Sequence, residues 1–235
     1  MPMRTLHDSH HQEDHWIPLS DLMTGLMMFF MLLAVAYMIK VEADQQKIKQ
    51  IAVRYDQLHN DLYKDLENEF KNDLPTWGAE LDKDLTLRFK EPDVLFDTGK
   101  DILKPRFKVI LDDFFPRYIN ILTSEKYKTS IQEIRIEGHT SSIWTTQTSP
   151  DEAYFLNMEL SQSRTRSTLQ YLLNQPDVQD EKMWLRKYFT ANGLSSSKLI
   201  MKSDGSEDMA RSQRVEFRVR TDAESKIANI VEAFR

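Results

Sequence analysis

The chain has no cysteine. That removes disulfides, thiolate catalysis and cysteine-based zinc sites. It leaves the compartment open, because an extracytoplasmic domain large enough to form a core needs no disulfide. An excess of positive charge is also missing: 31 Lys and Arg stand against 37 Asp and Glu, for a net charge of -6. A phosphate-binding surface requires a basic face, so nucleic acid is not an expected partner. A third absence is local. From residue 22 to residue 39 there is no charged side chain. Arg4 is the only Lys or Arg ahead of that run, and Tyr37-Met38-Ile39-Lys40 after it does not resemble a cleavage site. The basic start and small-residue end of a secretory signal are both lacking.

What remains is a retained membrane anchor. Eighteen residues at helical rise cover roughly 27 Å, about one hydrocarbon core. All-round apolarity over five turns argues against a core helix of a soluble domain. The expected span is 17–39, which places the Asp21 carboxylate in its first turn. Two readings of Asp21 stay open. It caps the helix, with Ser20 as a competing cap, or it is a protonatable group in an ion path, since ionisable side chains at membrane depth are costly and usually serve transport. Thr24, three residues on, can share hydration or an ion with it. The count of basic residues, Arg4 against Lys40, Lys47 and Lys49, favours an outside N-terminus. The nature of the C-terminal domain argues for the opposite orientation.

Beyond the run, residues 40–75 form a polar helical linker. Ile48, Ile51, Tyr55, Leu58 and Leu62 recur at spacings of three and four, a seam of about two heptads. A dimeric stalk and an amphipathic helix packed on another surface fit it equally. Pro75 and Gly78 then open a domain over 76–222. Strands are expected at 85–89 and 94–96, around an Glu91-Pro92-Asp93 turn, and at 131–137, 199–202 and 215–219. Helices are expected at 105–122, 153–173 and 181–190. The alternation predicts an α/β (α+β) sandwich with helices on one sheet face, and residues 223–235 read as a C-terminal helix. His7, His10, His11 and His15 belong to a solvated N-terminal tail, 1–16, rather than to a metal site. His139 has no nucleophile or metal cluster beside it in the sequence, so neither an enzyme, nor a metal site, nor a cofactor is expected.

Several phrases carry resemblances. Ser20-Asp21-Leu22-Met23-Thr24-Gly25, followed by Phe29-Phe30, resembles the membrane helix of the stator subunit family MotB, over about twenty residues. The ExbD/TolR helices share the lone Asp but not the domain that follows. Val94-Leu95-Phe96-Asp97-Thr98-Gly99, Ile136-Glu137-Gly138-His139-Thr140, Asn157-Met158-Glu159-Leu160-Ser161-Gln162-Ser163-Arg164 and Arg214-Val215-Glu216-Phe217 are similar, in that order, to OmpA-like peptidoglycan-binding domains. The resemblance implies recognition rather than catalysis. Thr140, Asn157, Leu160 and Arg164 match the wall-binding positions, with Arg164 gripping a carboxylate of the diaminopimelate stem peptide, a task suited to a planar bidentate donor.

The match departs from the family in two places. Ser141 stands where the family carries an Asp for the ligand ammonium, and an inserted stretch runs from Ser142 to Pro150. Either Asp151 or Glu152 supplies the charge, or the ligand is held more weakly. Ser212-Gln213-Arg214 replaces the closing Asn-Arg-Arg. The resemblance implies a homodimer of single-pass inner-membrane subunits, N-terminus cytoplasmic and C-terminal domain periplasmic. It also implies a ring of five MotA-like partners around the dimer, and an ion passing at Asp21 and Thr24; a proton is the first reading, and the sequence leaves sodium open. The short N-terminus, the Ser141-Ser142 loop and the compact linker look like the B component of the Zorya anti-phage system. A flagellar-type stator is the second reading, and a passive wall anchor without conduction the third.

Overall fold

The computed structural model describes residues 16–90 and 95–222. The N-terminal histidines, the Glu91-Pro92-Asp93 turn, Val94 and the C-terminal helix lie outside the described residues. The chain divides into two units, Met1–Ile51 and Ala52–Arg235.

Helix α1 runs over Trp16–Phe70. Its 22–39 stretch is exposed around its circumference, and among the described residues this is one helix long and apolar enough to cross a membrane. Unsolvated apolar surface on that scale requires lipid or protein cover. The last turns of α1 behave differently. Leu62, Leu66 and Phe70 are fully buried, four residues apart, with Leu58 packed beside them. The sequence assigned this stretch to the linker 40–75. The structure gives it to the core of the second unit, as an amphipathic helix packed on its neighbours. Arg117 pins the junction by reaching Glu69, Asp73 and Asp113 and lying over the Phe70 ring.

In the second unit a short helix α2 (Leu74–Trp77) leads, through left-handed Gly78, into β1 (Ala79–Leu81) and β2 (Thr86–Phe89). Helix α3 (Pro105–Leu122) matches its expected bounds. Proline stands at its first position, and Phe107, Ile110, Leu111, Phe114, Phe115, Tyr118, Ile119 and Leu122 form one buried face. Strand β3 (Ile131–His139), helix α4 (Pro150–Leu173), helix α5 (Lys182–Tyr188), strand β4 (Phe189–Gly193), helix α6 (Met209–Ser212) and strand β5 (Arg214–Thr221) complete the order. The sheet is β1-β2-β5-β3-β4, antiparallel except for the β3–β4 pair.

Period-two alternation splits the sheet into two unlike faces. Ile134, Ile136, Val215, Phe217 and Val219 join the aromatic core with α3. Glu137, His139, Arg214 and Glu216 fall on the other face. Three expectations fail. Among the described residues the stretch 94–96 gives no sheet strand, and Phe96 makes only an isolated bridge to Leu103. Residues 181–190 are not one helix, because the chain turns into β4 at Phe189. Residues 199–202 add no strand to the sheet, and Met201 makes only an isolated bridge to Glu207.

Helix α4 lies close to the sheet because β3 and β4 pair glycine with glycine, Gly138 opposite Gly193. A Cβ on Gly193 would stand 2.3 Å from the Gln162 backbone nitrogen, and one on Gly138 would stand 2.7 Å from Thr165 Cγ2. The helix answers with small side chains, burying Ala153, Asn157, Ser161, Thr165 and Thr168. Gly193→Ala is expected to cost about 1–3 kcal/mol through overpacking against backbone. Denaturant unfolding of the Ala52–Arg235 unit measures this, and an unchanged midpoint would mean that α4 moves away freely.

Candidate functional site

Close packing of α4 brings its Asn157-to-Arg164 face against the β3 exit loop and the 95–103 loop. Asn157 is buried, and its Nδ2 donates to the Ser141 carbonyl at 3.1 Å. Ser161 Oγ accepts from the Ser195 backbone N–H, Ser195 Oγ donates to the Tyr154 carbonyl, and Thr140 N–H donates to the Ser195 carbonyl. The chain leaving β4 is thereby tied to both α4 and the loop after His139. Asn157 shapes this loop from beneath. Thr140 is buried too, and its hydroxyl has no hydrogen-bond partner among the described residues.

Arg164 is held differently. Its Nε donates to the Lys100 carbonyl at 2.8 Å, its Nη2 to the Asp97 carbonyl at 3.1 Å, and the guanidinium lies 5.0 Å over the Phe96 ring. No carboxylate lies within salt-bridge distance of it among the described residues, so the surface ion pair that would make it merely structural is absent. Burial pushes its pKa down, with the Asp101 carboxylate opposing from farther off; a guanidinium keeps its proton regardless. The result is a cation fixed by two carbonyls and an aromatic face, with no carboxylate in ion-pair contact among the described residues. Beside it, Leu160 is half-buried and lines an open groove of about 260 Å3 with Gly99, Asp101, Trp144, Leu156 and Glu159. Trp144 comes from the inserted stretch.

The structure does not bring Asp151 or Glu152 to this loop. Both lie exposed in the first turn of α4, capped by Ser149. The carboxylate that meets it is Glu207, which accepts from Ser142 N–H at 3.1 Å and from Ser142 Oγ at 2.5 Å. Glu207 is distant in sequence and was not among the expected residues.

In the first unit, Asp21 is the sixth residue of α1, more than a turn past the helix start. Boundary assignments vary by one or two residues at most, so the capping reading of Asp21, and of Ser20, does not hold. Thr24 Oγ1 donates back to the Ser20 carbonyl at 2.8 Å. This fixes the hydroxyl and leaves its lone pairs for other contacts.

His139 requires a correction. The sequence showed no cluster beside it, yet Glu137, on the same strand face, and Glu216, which stands opposite Glu137 on β5, are both buried against it. His139 Nε2 stands 3.5 Å from Glu216 Oε2 and 3.9 Å from Glu137 Oε2. Burial holds the His139 pKa low, with Glu216 opposing. Burial pushes the Glu216 carboxyl up, but its contacts with His139, Arg214 and Arg88 outweigh this and hold it below the carboxylate range. The alternating Glu-Gly-His of 137–139 was the available signal.

No family model matches the chain. It is 49% identical over 220 residues, 93% of each chain, to the Zorya protein ZorB of Escherichia coli strain Crooks. It is 27% identical over 214 residues to the Zorya protein ZorB of Escherichia coli O139:H28, covering 88% of this chain and 80% of that one. Among solved structures it resembles a MotB-like protein from Desulfovibrio vulgaris, at 22% identity and a TM-score of 0.46, over 74% of this chain and 98% of that one.

Proposed function

The chain belongs to the family of the Zorya protein ZorB, and we propose that it is the wall-anchored, ion-conducting stator subunit of an anti-phage motor. In this reading residues 17–39 span the inner membrane, and the unit beyond them lies in the periplasm and holds peptidoglycan through Arg164, Leu160 and the loop that Asn157 and Thr140 shape. Two copies place their Asp21 side chains inside a ring of MotA-like subunits. Passage of a proton alternately neutralises and frees each carboxylate, with Thr24 beside it. The observation that carries the anchoring is the Arg164 guanidinium, half-buried, oriented by two carbonyls and, among the described residues, without a carboxylate in ion-pair contact. A fixed, unneutralised fork suits a ligand carboxylate. The interior position of Asp21 favours conduction over a passive anchor, because a carboxylate inside a membrane helix is costly unless it is used.

Topology gives the direct test. A reporter joined after Arg235 that is active only outside the cytoplasm is expected to give signal, and its cytoplasm-only counterpart none. The reverse result would remove wall binding together with the proposed orientation.

A further inference from the structure

On the sheet face away from the helices, Glu137, His139 and Glu216 form a buried trio, and we propose that it is a binding site for a divalent transition-metal ion such as zinc. One ligand atom from each, Glu137 Oε2, His139 Nε2 and Glu216 Oε2, lies within 4.8 Å of the others. Among the described residues neither His139 nitrogen has a hydrogen-bond partner, nor does Glu137 Oε2, though both side chains are almost wholly buried. Buried polar atoms of a native fold are nearly always paired, so two such atoms, Glu137 Oε2 and His139 Nε2, converging with Glu216 Oε2 mark a place built for something they can bind. Imidazole nitrogen and carboxylate oxygen are zinc donors, at about 2.0–2.2 Å, and small side-chain rotations that move the ligand atoms by roughly a few tenths of an ångström close the trio onto an ion.

The surrounding cations orient the trio rather than fill it. Arg88 and Arg214 both donate to the outer oxygen of Glu216, Oε1, which leaves Oε2 facing His139. Arg88 is further shared with Glu80 and Asp82, and Arg214 with the Lys198 and Ser212 carbonyls. Arg135 pairs with Glu133 and stands 4.0 Å from the Glu137 outer oxygen. Such contacts fix ligand orientation in metal sites. Lys198 is the competitor: its ammonium stands 3.7 Å from Glu137 Oε2, on a half-exposed side chain that can swing into water. A metal entering the site displaces that ammonium.

The test uses the full chain in detergent, stripped with a chelator, with His7, His10, His11 and His15 changed to Asn so that the N-terminal tail does not compete. Zinc titration should show one equivalent bound per chain. His139→Gln, which keeps size but removes the ring donor, should weaken binding at least about tenfold, with Glu137→Gln as a second variant should the first fail to fold. Lys198→Ala should tighten zinc binding several-fold, an effect that loss of fold cannot mimic. Absence of zinc uptake by the folded background protein, or affinity unchanged in both His139→Gln and Lys198→Ala, would overturn the proposal. The trio would then be a closed ion network around a neutral imidazole.

Discussion

Arg164→Ala is expected to strip the Ala52–Arg235 unit of most of its co-sedimentation with purified peptidoglycan while the unit still folds cooperatively, with a midpoint lowered by the loss of two carbonyl contacts and the Phe96 ring contact. The guanidinium gives two hydrogen bonds to loop carbonyls and no ion pair, so its removal leaves no carboxylate stranded within the domain. The loss falls on the ligand instead. Deleting one partner of a desolvated, charged hydrogen bond costs about 2–5 kcal/mol, and even about 2 kcal/mol is more than tenfold in affinity. Arg164→Lys should recover little, because a point charge satisfies neither both carbonyls nor a bidentate ligand. If the folded Ala variant sediments like the wild type, the ligand is held elsewhere and the helix motif is inherited fold alone. The fragment matters to this test. One that starts at residue 76 lacks Leu62, Leu66 and Phe70, three fully buried side chains, and should melt well below one that starts at Ala52, since each such loss from a core costs about 2–5 kcal/mol.

What was legible in the sequence follows from how each element earns its stability. Helix α3 could be read to the residue, because a first-turn proline and a face of large apolar side chains are both local signals. Helix α4 was found mainly through its motif. Its buried face is Ala, Asn, Ser and Thr, and only the paired glycines of β3 and β4 explain why so polar a face lies inside. Strand β4 was missed because it is a half-exposed edge strand that begins where α5 stops, with no Gly or Pro to mark the boundary. The end of α1 was misplaced for a related reason: the spacing of Leu58 and Leu62 shows that a face is buried but not against what.

The candidate sites divide along the same line. Arg164, Asn157 and Leu160 share one helical face and could be grouped from spacing alone. The contacts of Glu207 with Ser142, and of Glu216 with His139, join residues far apart in the chain, and no local pattern reports them. Ser141, the residue that departs from the family pattern, turns out buried, with its carbonyl held by Asn157. The loop therefore presents Ser142 and Glu207 where an Asp was expected, and the groove beside Leu160 is walled by Trp144 of the insertion. A change of one residue in the motif comes with a rebuilt rim, not with a simple loss of charge.

On the proposed function, Asp21→Asn is expected to reduce protection against phage infection to the level of cells without the system, with membrane insertion and co-purification of the proposed MotA-like partner intact. Asn preserves the volume, the helix position and the ability to accept hydrogen bonds, but it cannot take up and release a proton. Because Asp21 lies inside α1 and not at its start, a capping contribution does not confuse the result; Asn would in any case serve as well as Asp in that role. Thr24→Val should be milder. It removes a hydroxyl already engaged with the Ser20 carbonyl, so conduction should slow without ceasing. Plating efficiency gives the functional measurement, and membrane fractionation with partner pull-down shows that the machine still assembles. An Asn variant that protects as well as the wild type would exclude conduction at Asp21 and leave the passive wall anchor. Failure of the variant to insert or to hold its partner would instead make the carboxylate an assembly contact, a role that Asp21→Glu, which keeps the charge but lengthens the side chain, should then fail to restore.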